Sequence, residues 1–287
     1  MTNYAIKCRH GELNPQQQTI IMGVLNVTPD SFSDGGRFLT ESAIINQTKH
    51  LIEKGAQIID IGGESTRPFS EPVPLEEELS RVIPAIKAVR SFSDIPISID
   101  TTKAEVAQRA LDEGADIIND ISALRFDSKM ADLAASYEVP VILMHMKGTP
   151  QDMQVDPVYE DVMAEILDFF QERIDFCKKR GIGIERVIID PGIGFGKRFE
   201  DNLEIINQLS TLEALQRPIL VGPSRKAFLG QITGHDSPEL RDNATCGAAV
   251  AAVLNGASIV RVHEPGCVTD ALKVAHTLKK HRKGKYK

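Results

Sequence analysis

Short apolar runs recur along the chain, and each ends in glycine or a polar side chain. They cover residues 20–28, 58–64, 97–100, 117–122, 141–145, 187–194, 219–226 and 259–263. Stretches with helical spacing separate most of them. Eight β-like runs alternating with helices predict an α/β protein, a single-domain (β/α)8 TIM barrel over residues 1–287. Such barrels carry their chemistry at the C-terminal ends of the strands. Those ends hold Asn26, Asp60, Asp100, Asn119, Met144, Asp190, Lys226, Arg261 and His263. This polar ring is the candidate active site.

A faint internal repeat supports the ring. Residues 55–60 (GAQIID), 114–119 (GADIIN) and 256–261 (GASIVR) share one pattern. The glycine suits a left-handed residue after a helix, and the β-branched run suits a buried parallel strand. Side chains alternate faces along a strand, so Asp60, Asn119 and Arg261 should share one orientation, as should Gly62, Ile121 and His263. Among the helical stretches, residues 75–91 begin with an acidic first turn suited to a helix N-terminus. Residues 156–180 form the longest amphipathic stretch, with Val162, Ile166, Phe169, Phe170 and Ile174 as core positions. The basic tail, 281–287, is expected to be a solvated, frayed end.

Composition fits a large enclosed core, with 42% hydrophobic residues in 287. A net charge of −7 argues against a general nucleic-acid surface. The four scattered cysteines contain no Cys-x-x-Cys pair, which favours free thiols over a zinc site or disulfide framework. The N-terminal residues lack a secretory pattern, and no apolar run reaches the roughly 20 residues that span a bilayer. A cytoplasmic location without membrane association is therefore expected.

Three constellations carry chemistry. Asp100, Asn119 and Asp190 offer acceptors, with one amide that also donates, to a ligand rich in N–H groups such as an aminopyrimidine. Arg67, Arg225, Lys226, Arg261 and His263 lie at or beyond the second, seventh and eighth strand ends. Loops after strands seven and eight are frequent phosphate sites in barrels, and Asn26 could join Arg261 and His263 around a phosphoryl group. Two loops rich in glycine, proline and hydroxyls, 28–36 and 62–68, have the composition of mobile lids over a substrate. The glycine run 192–197 is read as close backbone approach to a flat ligand.

At these residues the sequence resembles the dihydropteroate synthase family. The most specific segments are 23–36 (GVLNVTPDSFSDGG) and 60–68 (DIGGESTRP). Further matches are 99–101 (IDT), 119–121 (NDI), 144–146 (MHM), 190–197 (DPGIGFGK), 224–226 (SRK) and 261–263 (RVH). The resemblance implies a pterin held at its polar edges by Asp100, Asn119, Asp190 and Lys226, with Ile121, Met144, Phe195, Gly222 and Arg261 on its faces. It implies a diphosphate held by Asn26, Arg261 and His263 with Mg2+, for which Asn26 is the protein contact. Thr66, Arg67, Pro68, Phe195, Ser224 and Lys226 would frame p-aminobenzoate, and sulfonamides would enter as its mimics. Asn26, Arg67, Lys226, Arg261 and His263 would carry catalysis, by loss of diphosphate and attack of the arylamine. A homodimer is implied likewise.

Two other readings stand beside it. A methyltetrahydrofolate–corrinoid methyltransferase resembles this fold and shares the carboxylate–amide edge, but needs neither the cationic anion site nor the two loops. A non-catalytic pterin-binding or scaffold protein would release no diphosphate.

Overall fold

The computed structural model describes residues 5–28, 40–66 and 70–284. Most of the first lid-like loop, 29–36, lies outside the described residues, as do Arg67 and Pro68 of the second. The chain opens with an antiparallel hairpin of β1 (Ile6–Cys8) and β2 (Gly11–Leu13). Eight parallel strands follow: β3 (Ile20–Asn26), β4 (Ile58–Gly62), β5 (Ile97–Asp100), β6 (Ile117–Asp120), β7 (Val141–Met144), β8 (Val187–Asp190), β9 (Leu220–Val221) and β10 (Ile259–Val262). They pair in the order β8-β7-β6-β5-β4-β3-β10-β9. A parallel bridge between Ile189 and Ile219 joins the two edges and closes the barrel.

The outer wall consists of α1 (Glu41–Glu53), α2 (Leu75–Arg90), α3 (Ala104–Asp112), α4 (Met130–Tyr137), α5 (Val162–Lys179), α6 (Phe199–Gln208), α7 (Ala227–Thr233), α8 (Asp242–Leu254) and α9 (Thr269–Gly284). None of the helices among the described residues is long and apolar enough to cross a membrane. Local chemistry sets several boundaries. Asp161 accepts from the backbone N–H groups of Met163 and Ala164, so α5 starts at Val162 rather than at residue 156. Gly55 has φ +105°, and a side chain there would strike Thr269 Oγ1 at 2.6 Å, which accounts for the first glycine of the repeat. In the basic tail, His281, Arg282 and Gly284 are solvent-exposed as expected, but the stretch is helical rather than frayed, because α9 continues through Gly284; 285–287 lie outside the described residues.

Alternation along the strands sorts side chains into two sets. One set, Ile20, Met22, Ile58, Ile117, Ile142, Ile188, Leu220 and Ile259, meets in a single cluster inside the barrel. Ile6 of the hairpin joins this cluster, with Cys8 and Leu13 packed against it, so β1 and β2 plug the N-terminal end. The other set, including Ile59, Ile61, Ile99, Ile118 and Leu143, merges with Val82, Ile86, Val106, Ile166 and Phe170 of the helices. Both faces of the sheet are dry, which is why the strands read as unbroken apolar runs. Two residues beyond the inner cluster come Asp60, Asn119, Met144, Asp190, Gly222 and Arg261. The barrel thus changes from apolar floor to polar mouth in one step.

Several strands are shorter than their apolar runs. β9 ends at Val221 because Pro223 has no N–H for the ladder and opens the turn to Lys226. The remaining residues of each run leave the ladder and carry their polar groups over the mouth.

Candidate active site

Asp60 is the hub of the mouth. It is fully buried, and its carboxylate accepts from Arg261 Nε at 2.6 Å and from Asn119 Nδ2 at 3.3 Å to each oxygen. Arg261 Nη2 donates to Asp100 Oδ2 at 2.8 Å. The repeat therefore brings Asp60, Asn119 and Arg261 into one network, from β4, β6 and β10. Register explains the contact with Asp100, which lies beside Gly62 on one side and Asn119 on the other. Burial alone would lower the Arg261 pKa, but the carboxylates of Asp60 and Asp100 outweigh it and hold it above the usual guanidinium range. Burial pushes Asp100 up to about 7 against the pull of Arg261.

Asp190 closes the ring from β8. Its Oδ1 accepts the Gly192 N–H at 2.8 Å, and burial raises its pKa to about 6 against that bond and the charge of Lys226. Among the described residues, the hydrogen bonds of Asp100 use only Oδ2 and those of Asp190 only Oδ1. Each carboxylate thus keeps one oxygen for a ligand. Three carboxylates face two cations here, Arg261 and Lys226, so the mouth favours a donor-rich edge.

An apolar wall stands beside this floor. Ile121, Met144, Met146 and Met153 are buried together, with Phe195 packed against them. Lys226 Nζ lies 4.0 Å from the centre of the Phe195 ring, a cation–π contact. Burial, reinforced by Arg261, lowers Lys226 to about 8, with Asp190 and Asp100 pulling it back up. Gly222 leaves the space above Arg261 open, since a side chain there would come no closer than 3.8 Å to Arg261 Cβ. Ser224 Oγ accepts the His263 N–H at 3.1 Å and lies 2.9 Å from His263 Nδ1, fixing that imidazole at the end of β10. Asn26 ends β3, half-buried beside Gly62, and Thr66 lies half-buried beyond β4. Among the described residues no hydrogen bond ties either to the network.

Two expectations need correction. Arg225 is not part of the anion site; its guanidinium forms a forked pair with Asp242, Nε–Oδ1 2.8 Å and Nη2–Oδ2 2.9 Å, and so anchors the β9 turn to the start of α8. The glycine run also serves another purpose. Side chains at Gly192 and Gly196 would strike the carbonyl oxygens of His145 at 2.0 Å and Lys147 at 2.4 Å. The close approach is to the chain's own backbone. Lys197 completes this seam, its buried Nζ donating to Phe195 O at 2.8 Å and Gly192 O at 3.2 Å and lying 3.0 Å from His145 Nδ1, and burial lowers its pKa to about 7. Burial drives His145 down to about 2, helped by Lys197, so its ring is neutral and accepts from the lysine.

Met153 had no site role in the sequence reading, and Asp60 stood in the polar ring with no role of its own. Asp60 was traceable from its offset match with Asn119 and Arg261, whereas Met153 lies in an irregular turn with no periodic signal.

The geometry has counterparts in known proteins. A family model described as pterin binding enzyme matches residues 22–263. A dihydropteroate synthase from Synechocystis is 48% identical over 262 residues, covering 91% of each chain. The chain belongs to the dihydropteroate synthase family. Among solved dihydropteroate synthases, one from Yersinia pestis in a sulfonamide drug complex superposes with a TM-score of 0.91 at 38% identity, covering 96% of this chain and 99% of that one. One from Xanthomonas albilineans with 4-aminobenzoic acid gives 0.90 at 42% identity, with 97% and 99% covered. The same organism's enzyme in complex with 7,8-dihydropteroate gives 0.86 at 40%, with 96% and 98% covered. Family membership decides against the corrinoid methyltransferase reading.

Proposed function

We propose that this chain condenses 6-hydroxymethyl-7,8-dihydropterin diphosphate with p-aminobenzoate, giving 7,8-dihydropteroate and diphosphate. The observation that carries this reading is the pair Asp100 and Asp190, each with one oxygen that has no hydrogen-bond partner among the described residues, beside a wall of Ile121, Met144 and Phe195. The pyrimidine edge of a pterin presents adjacent N–H donors, and its flat ring matches the wall. Asn119 and Lys226 complete the polar edge, and Gly222 and Arg261 lie under the ring.

The reaction breaks the bond between the pterin methylene carbon and the diphosphate oxygen, and the arylamine nitrogen takes that carbon, losing one proton to the departing diphosphate or to solvent. Arg261, His263 and Asn26 stabilise the leaving anion, while the pterin-side carboxylates favour the developing positive charge. Magnesium suits this donor set as a shared ion. Among the described residues no group of three His, Cys, Asp or Glu side chains could hold a metal, and Mg2+ commonly takes one or two protein ligands plus substrate phosphates. Asn26 would supply the protein oxygen, and the ion would neutralise charge on the departing diphosphate. Thr66, Arg67, Pro68, Phe195, Ser224 and Lys226 would receive p-aminobenzoate, and a sulfonamide would compete there.

Calorimetry with a pterin tests the pocket. D190N and N119A should each weaken binding, by about 1–3 kcal/mol for a buried donor left without its acceptor. Wild-type affinity in both variants would contradict the assignment.

A homodimer is part of the proposal. After Asp242, α8 carries no charged residue, and Ile232, Leu240, Val274 and Leu278 on neighbouring elements are more than half exposed. A second copy would cover such a surface. A cytoplasmic location is proposed as well, in keeping with four free thiols.

A further inference from the structure

The turn after β7, residues 147–155, reaches two other loops at the mouth. Met153 from this turn is buried against Ile121, Met144 and Met146, with Phe195 on the same cluster. Gln154 Nε2 donates to Gly194 O at 2.8 Å. On the other side, Gln151 Nε2 reaches Ser70 O at 3.4 Å, and Ser70 Oγ donates to Ser65 O at 2.6 Å. The same short turn therefore touches the loop carrying Phe195 and the loop carrying Thr66.

The turn is built to be rigid. Asp152 Oδ1 accepts from Thr149 N at 2.6 Å and from Thr149 Oγ1 at 2.8 Å, while Met153 N donates to Thr149 O at 2.7 Å. Gly194 is pinned at both of its backbone groups, its N–H donating to Asn202 Oδ1 at 2.7 Å and its carbonyl accepting from Gln154 Nε2 at 2.8 Å. Asn202 belongs to α6, on the outer wall, and Gln154 restrains Gly194 from the other side, while Phe195 donates its N–H to Gly192 O at 3.0 Å and its carbonyl accepts from Lys197 Nζ at 2.8 Å. The peptide so held leads directly into Phe195, the ring beneath the Lys226 ammonium.

The geometry points to Gln154 as a positioning residue that sets the place of Phe195, and through it the fit of p-aminobenzoate more than that of the pterin. This rests on the p-aminobenzoate assignment proposed above. A shift of Phe195 would touch both substrates, but the pterin keeps its polar edge at Asp100, Asn119 and Asp190 and the buried wall of Ile121, Met144 and Met146. For p-aminobenzoate, Phe195, in the loop after β8, would be the large apolar contact.

Two measurements test the assignment. In steady-state kinetics, Q154M, which keeps the length and loses the donor, should raise KM for p-aminobenzoate by about 3- to 10-fold, the loss of one neutral hydrogen bond. Sulfonamide inhibition should weaken in parallel, with KM for the pterin diphosphate within about 2-fold and Tm unchanged. The chain has no tryptophan, so F195W gives one emitting site. Adding Q154M to F195W should lower its fluorescence anisotropy. An unchanged KM for p-aminobenzoate, an equal rise for both substrates, or an unchanged anisotropy would overturn the assignment. If Q154M folds poorly, Q154A in the F195W background gives the same readout. Should wild-type protein form no dihydropteroate, the functional reading fails, and the F195W anisotropy still decides whether Gln154 positions residue 195.

Discussion

Asp60 shows how one buried residue organises a mouth full of charge. A lone carboxylate at zero exposure would be costly, but Asp60 meets the Arg261 guanidinium and the Asn119 amide. Arg261 in turn holds Asp100, so removing it leaves two carboxylates facing one another. R261A should lose turnover and also about 3–5 kcal/mol of stability at neutral pH or above, the cost of breaking a buried pair from one side. The pH dependence has a definite sign. Asp100 stands at about 7 with Arg261 present and would rise further without it, above its ordinary 3.8. The folded variant then holds a proton that the unfolded chain releases, so its deficit is largest above pH 7 and shrinks as pH falls. Urea unfolding of both proteins from pH 5 to 8 measures this; a deficit constant across that range would contradict it. The sequence placed Asp60, Asn119 and Arg261 on one face through their shared offset. It could not show which of them bond, because alternation gives orientation and not distance.

At the scale of elements, the hairpin and the barrel mouth do separate work. β1 and β2 close the N-terminal end, far from the polar ring, and Ile6 is 3% exposed in the inner cluster. I6A should cost about 2–5 kcal/mol in denaturant unfolding while leaving both KM values unchanged. Altered substrate binding would show that the hairpin reaches the site. This hairpin escaped the sequence reading because three-residue strands with Lys7 and Glu12 between apolar ends leave too short a pattern. The barrel strands were legible for the opposite reason: both faces are buried, so each run is unbroken. Their C-terminal limits were not, since residues such as Ile121, Ile193 and Gly222 leave the ladder while keeping the apolar or small character of the run. Arg225 was misassigned on similar grounds, because adjacency to Lys226 in sequence says nothing of the partner offered by α8. The lid-like loops at 29–36 and 67–68 lie outside the described residues, so their part in the site rests on the family resemblance alone.

At the scale of the whole molecule, one closed barrel carries an apolar plug, a polar mouth and a helix surface of mixed character. The uncharged run of α8 and the exposed Leu240 define the part of that surface where a second copy would sit. Sedimentation should find a dimer at micromolar concentration, and L240D should shift it to monomer without unfolding it. A monomeric wild-type protein would contradict the proposed assembly and leave the chemistry untouched. The fold was readable at this scale because eight alternating units leave few other topologies, and the family because its motifs fall at the strand ends. The central claim is that the mouth joins a pterin to an arylamine with loss of diphosphate. Purified protein supplied with 6-hydroxymethyl-7,8-dihydropterin diphosphate, p-aminobenzoate and Mg2+ should form 7,8-dihydropteroate and diphosphate in equal amounts, with both dependent on p-aminobenzoate. Diphosphate appearing at the same rate without p-aminobenzoate, or no dihydropteroate at all, would contradict the account.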